Sequence, residues 1–266
     1  MATTAEGTPG ANLVAWGAPT AQSRGRRRSL WGYLFMPLVL TGILVVLYFY
    51  VQGQELTTGE ANRLNSESIR TGTWEQIELT VVSSVLVLAI AIPMGIVLTR
   101  PFARSITPPA IAVFNIGQAI PSIGLIVLLA VVYDIGFRTM VIALVAYTVL
   151  PVLRNTMVGL RQVDASVIEA ARGMGMTKGA VLTRIELPLA VPIIMAGLRT
   201  ALTINVGTAT LGALVGAGTL GELIVAGIVQ NRQLILVVGA ILVAVLALLV
   251  DYLAAIAEEQ LRPRGL

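Results

Sequence analysis

Several apolar runs near or above the roughly 18–20 residues needed to cross a bilayer dominate this chain of 266 residues. Charged residues make up 12% of it, against roughly 25% in a soluble domain, and they cluster between the runs. The runs are continuous rather than alternating, which disfavours a β-barrel. The fold class this predicts is all-α: a polytopic membrane protein of about six transmembrane helices.

The expected spans are Leu30 to Val51, Ile77 to Leu98, Ala110 to Val132, Thr139 to Leu153, Val191 to Val215 and Leu234 to Ile256. The first run is too long for a signal-peptide core and lacks a small-residue cleavage site, so it reads as an uncleaved helix. Residues 1–29 carry no apolar period and read as a disordered cytoplasmic tail ending in a basic cluster. Residues 30–75 hold the first helix and an external loop, 76–256 the main bundle, and 257–266 a second cytoplasmic tail.

Lys and Arg orient the spans. With the amino terminus inside, thirteen fall on cytoplasmic segments and four outside: Arg63, Arg70, Arg138 and Arg232. Arg199 lies early in the fifth span. This excess places both termini in the cytoplasm, and accounts for the pI of 9.8 without nucleic acid. Pro93, Pro121, Pro151 and the glycines from Gly207 to Gly227 interrupt spans. Broken backbone is tolerated in lipid where it is packed in protein or lines a cavity, so both tight packing and a pathway are expected.

Chemistry is tightly limited. The chain has no cysteine and no histidine, which removes disulfides, thiolate nucleophiles, imidazole bases and the common zinc motifs. Glu222 and Asp251, two carboxylates near spans, lie on separate segments and give an intramembrane enzyme no acid–base pair. No inverted repeat or acidic proton relay supports a secondary transporter or channel. "RGMGMTKG" spaces Gly173, Gly175 and Gly179 as G-x-G-x-x-x-G, which is neither a P-loop nor a dinucleotide fingerprint. No cofactor is therefore expected in this chain.

The same stretch lies in the most informative segment, the cytoplasmic loop 160–188. Asp164 is a good N-cap for a helix from Ala165 to Arg172, with Val167, Ile168 and Ala171 on one face. Gly173 and Gly175 end that helix. Thr177 can cap a second short helix, which Pro188 is expected to stop just before the fifth span. Ala170 and Ala171 leave a flat surface suited to docking in a partner's groove, and Glu169 offers an acceptor.

Glu169-Ala170-Ala171, then three residues, Gly175, nine residues, and Ile185-x-Leu187-Pro188 match the pattern EAA-x3-G-x9-I-x-L-P at every defined position. This resembles the permease subunits of bacterial ABC importers. "PVLRNTMVGLRQVDASVIEAARGMGMT" and "LRTALTINVGTATLGALVGAGTLGELIVAGI" resemble the osmoprotectant branch, which imports glycine betaine, choline, carnitine and similar quaternary ammonium compounds. Close relatives in that branch import other solutes, so ergothioneine or an amino acid stays open. The likeness covers about residues 75–255. It implies a type I importer permease fold and a coupling loop formed by Asp164, Glu169, Ala170, Ala171, Gly175, Thr177, Ile185, Leu187 and Pro188. It also implies a second permease subunit, two ATP-binding subunits that hold ATP and Mg, and an external binding protein.

Polar residues within spans are candidates for the substrate pathway: Asn115 and Gln118 on span three, and Thr203, Asn205, Thr208 and Thr210 on span five. Interhelical hydrogen bonding is the alternative use of such residues. The chain holds 5 Phe, 3 Trp and 6 Tyr, with no mid-span cluster to cage a quaternary ammonium. High-affinity selection is then expected of the external binding protein; Glu222 and Arg232 in the 216–233 loop are candidates to touch it, a solvated turn being the alternative reading of that loop.

Overall fold

The computed structural model describes residues 30–261. The basic cluster 24–28 and the rest of both predicted tails up to residue 29 and beyond residue 261 lie outside the described residues. The described chain is helical: α1 (Leu30–Gln52), α2 (Thr58–Arg63), α3 (Ser66–Leu98), α4 (Thr107–Ala119), α5 (Ser122–Val132), α6 (Phe137–Arg161), α7 (Ala165–Gly173), α8 (Lys178–Val181), α9 (Leu187–Ala209), α10 (Gly221–Val229) and α11 (Gln233–Leu261). Among them are five spans long and apolar enough to cross a membrane, or six if the bent pair α4–α5 counts as one. Helices close every backbone hydrogen bond internally, as a bilayer demands.

The bundle is built on α3, α6, α9 and α11. Val87 and Ala91 of α3, Leu150 and Leu153 of α6, and Ala201 of α9 form one core cluster. Leu79, Met140, Leu144 and Ala209 join the same three helices at a second level, with Ile126 of α5. Small residues set the helix separations. A Cβ at Gly95 would lie 2.7 Å from Thr156 Cγ2, and one at Gly197 would lie 2.6 Å from Asn155 Cβ. Larger side chains at these points would push α3 and α9 off α6.

Helix α1 stands at the edge. Leu40 and Leu47 are buried, while Phe35, Val46 and Phe49 are exposed. The tie near its amino-terminal end is polar: Tyr33 Oη donates to Glu259 Oε2 at 2.6 Å, and Tyr252 Oη donates to the Tyr33 carbonyl.

Four expectations change. The third span is not one helix: α4 and α5 meet at 93°. Pro121 disfavours helical backbone at the residue before it, and Ile120 accordingly sits at φ −72°, ψ 129°. Second, Pro188 does not stop a helix. The Leu187 amide bonds back five residues to the Leu182 carbonyl, and this wide turn over Leu182–Glu186 carries α8 into α9. Proline lacks the amide a regular turn would need, so the widened turn absorbs the defect. Third, half of the 216–233 segment is a helix rather than a loop. Residues Gly221–Val229 form α10, and Leu223 buries against Val206 of α9 and Ile235 of α11. The predicted external region 52–75 is also largely helical, since α3 begins at Ser66 rather than near Ile77.

Candidate functional site

The loop joining α6 to α9 is an ordered, capped unit. Asp164 Oδ1 accepts the Ser166 amide at 2.8 Å, and these hydrogen bonds from Ser166 hold the Asp164 carboxyl below its ordinary range. At the other end of α7, the Met176 amide reaches the Ala171 carbonyl at 3.2 Å and the Gly175 amide reaches the Arg172 carbonyl at 2.9 Å. These are the two bonds of a Schellman cap, and Gly175 takes the left-handed position with φ +83°. Gly173 is still helical, so of the two predicted stop residues only Gly175 acts as one. Thr177 Oγ1 accepts the Ala180 amide at 3.3 Å and starts α8.

This capping fixes which residues face out. Glu169, Ala170 and Met174 are exposed, as is Val167. Val167, Ala170 and Met174 are spaced i, i+3, i+7 and form one ridge. Ala171 is buried and Ile168 half-buried on the opposite side. Val167 thus departs from the face the sequence assigned to it. Ile185, Leu187 and Pro188 are half-buried, and Leu187 packs with Leu160 of α6 and Ala190 of α9. The first half of the motif is surface and the second half is anchor.

Between Ile185 and Leu187 sits Glu186, which sequence reasoning passed over. It is almost fully buried and pairs with Arg100, Nη2 to Oε2, at 2.6 Å. Arg100 belongs to the short linker between α3 and α4, so this pair ties the loop to the start of the bent span. Residues 86 apart in sequence carry no local signal of such pairing.

The pathway candidates separate into groups. Asn115 accepts a hydrogen bond from Arg154 Nη2, and Gln118 Nε2 donates to the Tyr147 carbonyl at 2.9 Å. Both therefore turn toward α6. Asn205 is fully buried, and its Nδ2 donates to Ser83 and Ser84 Oγ of α3 at 3.0 Å each. Thr210 Oγ1 accepts from Gln76 Nε2 at 3.1 Å, also across the α3–α9 contact. Thr203 is exposed and its hydroxyl donates to the Arg199 carbonyl; Thr208 is half-buried. The six residues do not converge on one site. Ser83 and Ser84, adjacent polar residues mid-span, were the available sequence signal for the Asn205 contact.

A further intramembrane pair joins α9 to α11. Arg199 Nη2 lies 2.7 Å from Asp251 Oδ2, and its Nε faces Oδ1. Toward the other end of α11, just before its first residue, Arg232 Nη1 approaches Glu60 Oε1 at 3.9 Å. The hydroxyl and amide of Thr57 hold the Glu60 carboxyl below its usual range. Glu222 is exposed at the start of α10, beside a polar cavity of about 250 Å³ that Glu75 and Arg63 also line. Arg232 and Glu222 thus occupy one face, although Arg232 is already engaged. Among the described residues no group of three or more acidic side chains is placed to hold a metal ion.

Residues 91–263 match the family described as the binding-protein-dependent transport system inner membrane component. The chain is 37% identical over 194 residues to the choline transport system permease protein OpuBB of Bacillus subtilis, spanning 73% of this chain and 88% of that protein. It is 38% identical over 221 residues to the osmoprotectant import permease protein OsmY of Salmonella typhimurium, spanning 83% and 92%. Its structure resembles an inward-facing form of the MetNI methionine ABC transporter with a TM-score of 0.66 and 25% identity, covering 74% of this chain and 98% of that one.

Proposed function

The chain belongs to the binding-protein-dependent transport system inner membrane component family, and we propose that it is the permease subunit of an ATP-driven importer of quaternary ammonium osmoprotectants. Glycine betaine, choline or carnitine would be delivered by an external binding protein. The names of OpuBB and OsmY support this substrate class. ATP and Mg would be bound by two separate subunits, and a second permease copy or a related chain would complete the pathway. Both termini would lie in the cytoplasm, as the Lys and Arg distribution favours.

One observation carries the coupling role: α7 is capped at both ends and exposes the ridge of Val167, Ala170 and Met174, with Glu169 exposed beside it. A short rigid helix can transmit the motion of an ATP-binding partner without dissipating it in loop flexing. Glu186 and Arg100 would pass that motion to α4, and the widened turn before Pro188 would pass it to α9. The states with the pathway open inward and outward are then selected by the partner's differential affinity for each.

For the pathway, Asn115 and Thr203 keep exposed surface and are proposed to meet substrate. Asn205 and Thr210 are proposed to hold α9 on α3, since their hydrogen bonds run between those helices. Glu222 is proposed to meet the binding protein.

The test is reconstitution with the ATP-binding subunits and the binding protein in liposomes. Glu169→Lys should abolish substrate-stimulated ATP hydrolysis and uptake while the subunits still insert. Full uptake by that variant would refute the coupling role. Uptake of an amino acid with no quaternary ammonium uptake would instead replace the substrate class.

A further inference from the structure

The linker between α3 and α4 borders a cavity of about 830 Å³. Its walls include Arg100, Arg104 and Arg161, together with apolar Leu98, Pro101 and Ile111. Arg100 is neutralised by Glu186. Arg104 and Arg161 have no carboxylate partner among the described residues, and both are exposed. Two uncompensated guanidiniums around one cavity favour an anion.

The cavity has a fixed wall. Thr107 is buried, and its hydroxyl sits 2.9 Å from both the Leu98 and Ala103 carbonyls, locking the linker to the end of α3. Asn115 also lines the cavity, two turns further along α4. At 1.5 Å per residue that is about 12 Å into the span. The space is therefore charged at its mouth, apolar at Ile111 and Ala112 and polar again at Asn115, and is far larger than an inorganic phosphate fills.

The same linker exposes Phe102 at 73% and Ile106 at 59%. Large apolar side chains interleaved with arginines at a span's end suit the headgroup–acyl boundary, not a water-facing protein surface. Basic pockets of this kind between cytoplasmic helix ends bind lipid phosphates.

We infer that this cavity binds an anionic phospholipid, with the headgroup phosphate on Arg104 and Arg161 and the acyl portion against Leu98 and Ile111. An acidic segment of a neighbouring subunit is the rival occupant. The lipid is favoured because the cavity continues into the span and its rim carries Phe102 and Ile106.

The experiment uses the assembled transporter, with its ATP-binding subunits, in detergent. Native mass spectrometry would follow dilauroyl phosphatidylglycerol, the matching phosphatidylcholine, and inorganic phosphate in separate arms. Phosphatidylglycerol should be retained in preference to phosphatidylcholine. Arg104→Gln/Arg161→Gln should weaken its retention by roughly thirtyfold, at about fivefold per arginine. Arg104→Lys/Arg161→Lys should keep the preference, which separates charge loss from misfolding, and Arg172→Gln/Arg184→Gln should leave retention unchanged. Equal retention of the two lipids, equal loss in both Gln pairs, or phosphate binding without lipid preference would each overturn the assignment. So would lipid binding to the isolated permease that disappears on assembly, which would give the cavity to a neighbouring subunit.

Discussion

Arg199 of α9 and Asp251 of α11 face each other as a two-pronged ion pair, with Nη2 2.7 Å from Oδ2. The side chains are 39% and 29% exposed in the isolated chain, so the pair lies at the rim of the bundle rather than its centre. Each charge is tolerable in a span because the other is present.

Removing one partner should therefore cost more than removing both. Asp251→Leu or Arg199→Met alone should destabilise the complex by about 2 kcal/mol, below the roughly 3–5 kcal/mol of a fully buried pair. The double replacement should recover most of the loss. Thermal unfolding of the four purified forms checks this; additive losses would mean the two residues act independently.

The Arg100–Glu186 pair makes a different prediction, because it joins two segments rather than holding a core. Glu186→Gln should lower substrate-stimulated ATP hydrolysis by roughly tenfold, as a charge-assisted hydrogen bond worth about 1.5 kcal/mol is lost. The exchange Arg100→Glu/Glu186→Arg should regain part of it. No regain would indicate that Glu186 contributes only by packing.

Gly175 separates strain from crowding. Its φ is +83°, yet a Cβ there would meet nothing within 4 Å. Gly175→Asn should retain coupling, because Asn tolerates this conformation, whereas Gly175→Val should lose it. Equal loss in both would point to a partner pressed against this position. Uptake by reconstituted vesicles distinguishes the cases.

Asp164 gives a pH prediction with a defined sign. Its folded carboxyl titrates below the unfolded value of about 3.9, so the cap's stabilisation is fully present above that value. It is lost as pH falls through the lower folded value. Hydrogen exchange of the α7 amides should show protection that does not vary between pH 5 and 8 beyond the intrinsic rate. A protection change in that window would contradict the capping role of Asp164.

Asn205 bears on the division between pathway and packing. Asn205→Leu leaves Ser83 and Ser84 without their shared donor, and should lower stability by about 1–2 kcal/mol while the KM for substrate stays unchanged. A raised KM with unchanged stability would return Asn205 to the pathway.

Much of this architecture was legible because bilayer thickness sets the length of apolar runs in the sequence directly. The helix signals around α7 were legible too, since Asp164, Gly175 and Thr177 cap through local backbone geometry. Hydropathy, however, measures length and not direction, so the 93° turn at Pro121 looked like an ordinary proline in a span. The same blindness hid α10, whose apolar residues were read as an external loop because they follow a glycine-rich stretch. Pro188 carried a true local signal, but continuation of the rod through a wide turn depends on packing of Leu187 against α6. Arg199 and Asp251, 52 residues apart, needed the fold itself to be paired.

In the role proposed for it, this chain moves a quaternary ammonium solute inward when a partner's ATP cycle acts on α7. The most direct measurement is uptake of labelled glycine betaine and choline into vesicles holding the assembled transporter, with binding protein outside and ATP inside. Uptake of at least one should require both ATP and the binding protein, and should vanish with Glu169→Lys while the subunits remain assembled. Uptake that persists without the ATP-binding subunits, or is unaffected by Glu169→Lys, would contradict the account.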